Sequence, residues 1–97
     1  MSFRAWQNLR DAIFSQAVND YKAIYRAEIP ETHDCNIREI EAFLRSEYCE
    51  GLLSDVSMSG EGMLRTLHEW RREYAELIRN DEEYREKHTY KPFPTKG

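Results

Sequence analysis

A chain of 97 residues holds one domain and has no room for a second independent core. With 40% hydrophobic and 33% charged residues, four Gly and three Pro, it reads as helix-rich and heavily solvated, and a turn-rich β-sandwich is disfavoured. The net charge of −4 belongs to the middle, where residues 30–62 carry eight acids against two bases; such a segment disfavours nonspecific nucleic-acid binding, which needs Lys and Arg on phosphates.

No apolar run approaches a membrane span, and the opening MSFRAWQNLR lacks a continuous apolar stretch, so neither a membrane span nor a secretory leader is expected. Two cysteines, Cys35 and Cys49, are too few for a disulfide framework and are expected as reduced thiols in the cytoplasm.

The first helix is expected to open near Ser2 as N-cap and to run to about Ala27. Trp6, Leu9, Ile13, Ala17 and Ile24 form one stripe, with Phe14, Val18, Tyr21 and Tyr25 beside it. Pro30 is expected to end it, and residues 30–35 read as a loop. Asn36 then caps a second helix, with Glu39 three residues on as in a capping box. Ile37, Ile40, Phe43, Leu44 and Tyr48 give its apolar face, Glu41 and Arg45 sit at a supportive spacing, and Gly51 is the expected stop. Leu52, Leu53 and Val56 suggest a short extra helical turn before the breaker run at 57–62.

Ser57 or Ser59 caps the third helix, with Glu61 suited to its positive end. Over 63–78 its seam is Met63, Leu67, Trp70, Tyr74 and Leu77, widened by Leu64 and Ile78. The charge pattern through Arg79, Glu83 and Lys87 carries the helix on to about Lys87, with Tyr84 docking its last turn. The fold class is therefore all-α: a small antiparallel three-helix bundle over residues 1–88, with that extra turn between helices two and three. Residues 89–97 are expected as a mobile tail.

No pattern of catalysis, cofactor or metal binding stands out. His33 and Cys35 form one H-x-C pair, with Asp34 and Cys49 as conceivable partners, but the second close pair of a structural zinc site is missing. His68 reads as helix surface and His88 as a fraying end. Cys49 or Ser54 as nucleophile would need His68 and Asp55 brought together, and no local signature does so. SGEG lacks the length and the lysine of a phosphate-cradling loop. The expectation is a non-enzyme without cofactor.

Arg71 and Arg72 lie between Trp70 and Tyr74, a pattern that invites phosphate contact and base stacking, and Arg65 and Arg79 extend it. The seam assigns both aromatics to the core, and Glu69, Glu73 and Glu76 neutralise the arginines. A helix-turn-helix is ruled out by the long connection between helices two and three. Glu47, Glu50, Asp55 and Glu61 bracket that connection as an acidic surface able to meet a basic one.

The segment from Ile40 to Glu73, with EIEAFLRSEYCEGLLSD, a Gly-containing break and MLRTLHEW, resembles small uncharacterised helical accessory proteins of Firmicutes phages and prophages. Those share a glutamate-aromatic-aromatic-arginine-serine stretch, a leucine-threonine-aspartate bend, and an aspartate-glycine ahead of a charged helix. An upstream Asp-Tyr is matched here by Asp20-Tyr21. Leu44 stands for one aromatic, Ser54 for the threonine, and the break is longer. The resemblance covers half the chain and implies a phage origin inside a bacterial host. It also implies action by binding a host protein or nucleoprotein complex, as anti-defence proteins such as anti-CRISPRs do. Two readings stand beside it: a nucleic-acid-binding regulator using Arg65, Arg71, Arg72 and Arg79, and a self-associating module whose twelve aromatics exceed what one bundle buries.

Overall fold

The computed structural model describes residues 3–54 and 56–91, leaving out the side chains of Phe3 and Trp6. Ser2, Asp55 and residues 92–97 of the expected tail lie outside the described residues. The described chain forms α1 (Phe3–Tyr25), α2 (Ile37–Leu44), α3 (Glu47–Leu52), α4 (Gly60–Asn80) and α5 (Glu82–His88), with no strand among the described residues. The all-α expectation holds, but three helices become five.

Among the described side chains of the α1 stripe, burial begins at Phe14. Phe14, Tyr21, Ile24 and Tyr25 are in the core, Ile13, Ala17 and Val18 pack at its edge, and Leu9 is 46% exposed. The helix stops at Tyr25, well ahead of Pro30. Its end is a Schellman cap: Ala27 N–H donates to the Ile24 carbonyl (3.0 Å) and Glu28 N–H to the Ala23 carbonyl (2.9 Å). Ala27 takes the left-handed position at φ 57°, a place usually held by glycine. Backbone capping, not proline sterics, ends α1.

Asn36 caps α2 as its spacing predicts. Its Oδ1 accepts from Glu39 N–H (3.0 Å), while its Nδ2 donates to the carbonyls of Thr32 (2.8 Å) and His33 (3.2 Å). The further carboxylate at this helix start is Glu31, whose Oε2 accepts Ile37 N–H at 2.9 Å. Ile37, Ile40 and Leu44 are buried and Phe43 packs against the core.

The single helix expected from Asn36 to Gly51 is broken at Ser46. The Ser46 hydroxyl donates to the Phe43 carbonyl (2.6 Å), closing α2, and accepts from Cys49 N–H (3.1 Å), opening α3. Gly51 lies inside α3 rather than ending a helix, and Tyr48, placed on the buried face by sequence, is 63% exposed. The break rotates the face: Cys49, Leu52 and Leu53 are buried instead.

α2 is the hinge of the packing, meeting α1, α3 and α4. Its closest approach is to the start of α4. A Cβ on Gly60 would lie 1.8 Å from the Leu44 carbonyl oxygen, so only glycine lets the two backbones meet. Ser59 caps α4 through Gly62 N–H (3.0 Å). Leu64, Leu67 and Tyr74 are buried, with Met63 and Trp70 at the core edge. Leu77, assigned to the seam, is 57% exposed; Ile78 is half-buried instead.

Nor does α4 continue to Lys87. Asp81 leaves the helix in an extended conformation and its Oδ1 accepts Tyr84 N–H (3.0 Å), starting α5. α5 has no buried residue. Tyr84 rests edge-on against Tyr74 (6.1 Å), as its docking role predicts. In the segment expected as tail, the Tyr90 ring packs on Tyr25 at a tilt of 32° with centroids 4.2 Å apart.

Candidate functional site

The part-buried polar residues of α1, α2 and α4 meet in a cluster that lies elsewhere than on the acidic connection. Glu41 on α2 is its centre. Tyr21 on α1 donates its hydroxyl to Glu41 Oε2 (3.2 Å), and His68 Nε2 on α4 lies 2.9 Å from the same oxygen. Arg71 Nη1 donates to the Tyr21 hydroxyl (3.1 Å) and stands 3.7 Å from Glu41. The Arg71 guanidinium also covers the Tyr25 ring at 4.3 Å, a cation–π contact. Tyr25 also meets the Tyr90 ring in a tilted contact, and the Glu31 carboxylate acts on the Tyr90 phenol. Three helices, the 30–35 loop and the C-terminal arm thus meet through seven side chains: Tyr21, Tyr25, Glu31, Glu41, His68, Arg71 and Tyr90.

Burial sets the electrostatics here. It pushes the Tyr21 phenol well above its ordinary value, and Arg71 opposes that rise without cancelling it. Tyr25 and Tyr90 are raised as well, first by burial. Burial alone would lower Arg71, but the Tyr21 hydrogen bond and the charges of Tyr21, Tyr25 and Glu41 raise it instead. The arginine stays charged and fixed.

This cluster was missed by sequence. Glu41 was paired with Arg45 on its own helix, yet Arg45 Nε lies 3.5 Å from Glu61 at the start of α4. His68 was placed on the surface and Arg71 among the nucleic-acid contacts. A signal did exist: Glu41 follows Ile40, His68 follows Leu67 and Arg71 follows Trp70. Each is therefore a polar flank of an apolar stripe, aimed at the neighbouring helix.

Of the acidic set, Glu47 and Glu50 are exposed in the first turn of α3 and Glu61 in the first turn of α4, while Asp55 lies outside the described residues. Exposed apolar side chains share their stretch: Tyr48, Val56 (40%) and Met58 (57%). Of the arginines, Arg65, Arg72 and Arg79 are exposed and Arg71 is committed to the cluster.

Cys35 and Cys49 are both free. Cys35 Sγ donates to Asp20 Oδ2 (3.7 Å), and burial with that carboxylate pushes its thiol up. Burial and the Glu50 charge push Cys49 up too, the reverse of what activates a thiolate nucleophile. Ser54 Oγ is spent on the Gly51 carbonyl (3.0 Å) and His68 on Glu41, so no nucleophile–base pair is assembled from them. His33, Asp34 and the cysteines form no group of three metal-ligating residues among the described residues. No described helix is long and apolar enough to cross a membrane.

Two clefts flank the C-terminal arm. One, of about 540 Å³, is lined by Tyr25, His68, Arg71, Arg72, Tyr74 and Tyr90 among others. The other, of about 610 Å³, lies between the 27–31 segment and residues 86–91. No protein-family model matches the chain, and no curated protein or solved structure matches it either.

Proposed function

We propose that this is a non-enzymatic binding protein of phage or prophage type that docks onto a host macromolecular complex, in its sharper form an inhibitor of a host defence nuclease. The observation that carries the reading is the stretch from α3 to the start of α4. Tyr48, Val56 and Met58 stand exposed there among Glu47, Glu50 and Glu61, three apolar side chains within one short stretch of the chain. Apolar anchors within an acidic rim suit a basic protein surface, such as a nucleic-acid groove. The resemblance of the 40–73 segment to phage accessory proteins supports the origin.

The test is capture of a purified candidate host complex by the full chain. Glu47→Lys/Glu50→Lys and, separately, Tyr48→Ala should each abolish capture while leaving the helical circular dichroism intact. Capture unchanged in both variants would remove this surface from consideration. The nucleic-acid reading now rests on Arg65, Arg72 and Arg79. A gel shift that falls steeply with salt and is lost in Arg72→Ala would favour that reading instead.

A further inference from the structure

The cleft of about 540 Å³ beside the Arg71 cluster has a lining of one sign. Its charged groups are Arg71 and Arg72, with His68 and Thr89 among the neutral or weakly basic polar ones; tyrosine rings and Ile78 give most of the apolar wall, and no carboxylate lines it. The neighbouring cleft differs, because Glu28, Glu31 and Glu86 there oppose Lys87 and Lys91. We propose that the Tyr25–Arg71–Arg72–Tyr90 cleft binds a small ligand made of an oxyanion, carboxylate or phosphate, on a planar apolar body. The volume and the apolar walls with a few polar groups are those of a small-molecule site.

The two arginines have different roles. Arg71 is pre-organised: its Nη1 is held by the Tyr21 hydroxyl and Glu41, and its face lies on Tyr25. Glu41 offsets part of its charge, so Arg71 orients more than it attracts. Arg72 supplies the charge. It is exposed and makes no ion pair among the described residues, although Glu69, Glu73 and Glu76 border the shallow groove it also lines. A guanidinium without a carboxylate partner at the lip of an apolar cleft matches a carboxylate or phosphate in fork geometry. Tyr90 closes one wall and its ring rests on Tyr25, so an occupant joins the arm to the body of the bundle.

An amide NMR titration of the full chain tests this, with naphthoate and AMP as anionic probes and naphthamide and adenosine as neutral counterparts. Saturable shifts are expected at Ala75, Ile78, Thr89 and Tyr90. Affinity should fall about tenfold for the neutral counterpart and for Arg72→Gln, the loss of one charge-assisted pair. Response to naphthoate alone assigns a carboxylate ligand, and response to AMP alone a phosphate. Arg71→Lys keeps the charge but removes the fork, and should weaken binding without unfolding the chain. Equal affinity for charged and neutral probes, affinity unchanged in Arg72→Gln, or no shift with either anion would overturn the assignment.

Discussion

At the start of α4, Gly60 touches the Leu44 carbonyl so closely that no side chain fits, Ser59 caps the helix, and Leu64 and Leu67 are 1% and 3% exposed. At its end, Leu77 is 57% exposed, and the helix that follows buries nothing. The same helix is thus joined to the core by backbone contact at one end and by aromatic rings at the other. Close-packed backbone has two arrangements, met or separated, whereas ring contacts at an exposed arm loosen by degrees. Cooperative stability therefore belongs to the α2–α4 junction and the Glu41 cluster. The arm of α5 and Tyr90 is the part free to respond to a ligand.

The hardest test of that contrast is Gly60→Ala. Its methyl would meet the Leu44 carbonyl oxygen, and the helices must part, at a cost of about 3 kcal/mol. Chemical denaturation reads it directly; a loss under about 1 kcal/mol would mean that the junction yields easily and that the contrast is false.

Next in size is Glu41→Ala, which strips Tyr21 and His68 of their hydrogen-bond partner and Arg71 of its ion-pair partner, and should cost about 2 kcal/mol. Arg45→Ala is its control. That arginine and Glu61 are both more than half exposed, and their loss should change stability by no more than about 0.5 kcal/mol. Similar losses in the two variants would show that the cluster is no more than surface charge.

Alkaline pH probes the same cluster without mutation. Tyr21, Tyr25, Tyr74 and Tyr90 are all raised from the ordinary value of 10.0, burial being the first cause in each. Raised folded values mean that the folded chain holds these protons longer than the unfolded one. Their stabilisation is complete below the ordinary value and lost as pH rises through the raised ones. Phenolate absorbance and helical signal should therefore change together in alkali, and Tyr21→Phe should flatten the pH dependence of stability.

Ala27→Gly acts in the opposite direction. At φ 57° a glycine removes the Cβ strain of the α1 cap and should stabilise by about 1 kcal/mol. The smallest expected effect is Tyr84→Ala on the arm, within about 0.5 kcal/mol of global stability, with faster hydrogen exchange confined to 82–90. Exchange slowed equally across α4 and α5 in the parent chain would erase the difference between the two ends.

The caps at Asn36 and Ser59 are legible in the sequence, because each acts on a donor within three residues of itself. Local chemistry of that kind is written in spacing. Ser46 and Asp81 are cap residues too, yet they interrupt apolar and charge patterns that otherwise continue, so periodicity masked them. The acidic connection was legible as charge, but its exposed Tyr48 was taken for core because the face rotates at the Ser46 break.

What the sequence determined by itself is the helical class, a break just ahead of α4, although residues 60–62 of the expected breaker run fall inside that helix, and an apolar stripe on each of the three main helices. Those follow from a period of 3.6 and from side chains that bond to their own backbone. Only the tertiary structure decided that Gly60 opens α4 and is there for backbone contact rather than for breaking, that Leu9 and Leu77 are left outside, and that Arg71 turns inward. Each of these depends on a residue far along the chain: Leu44 for Gly60, Tyr21 and Glu41 for Arg71. Spacing within one helix carries no information about which distant carbonyl or carboxylate will lie opposite.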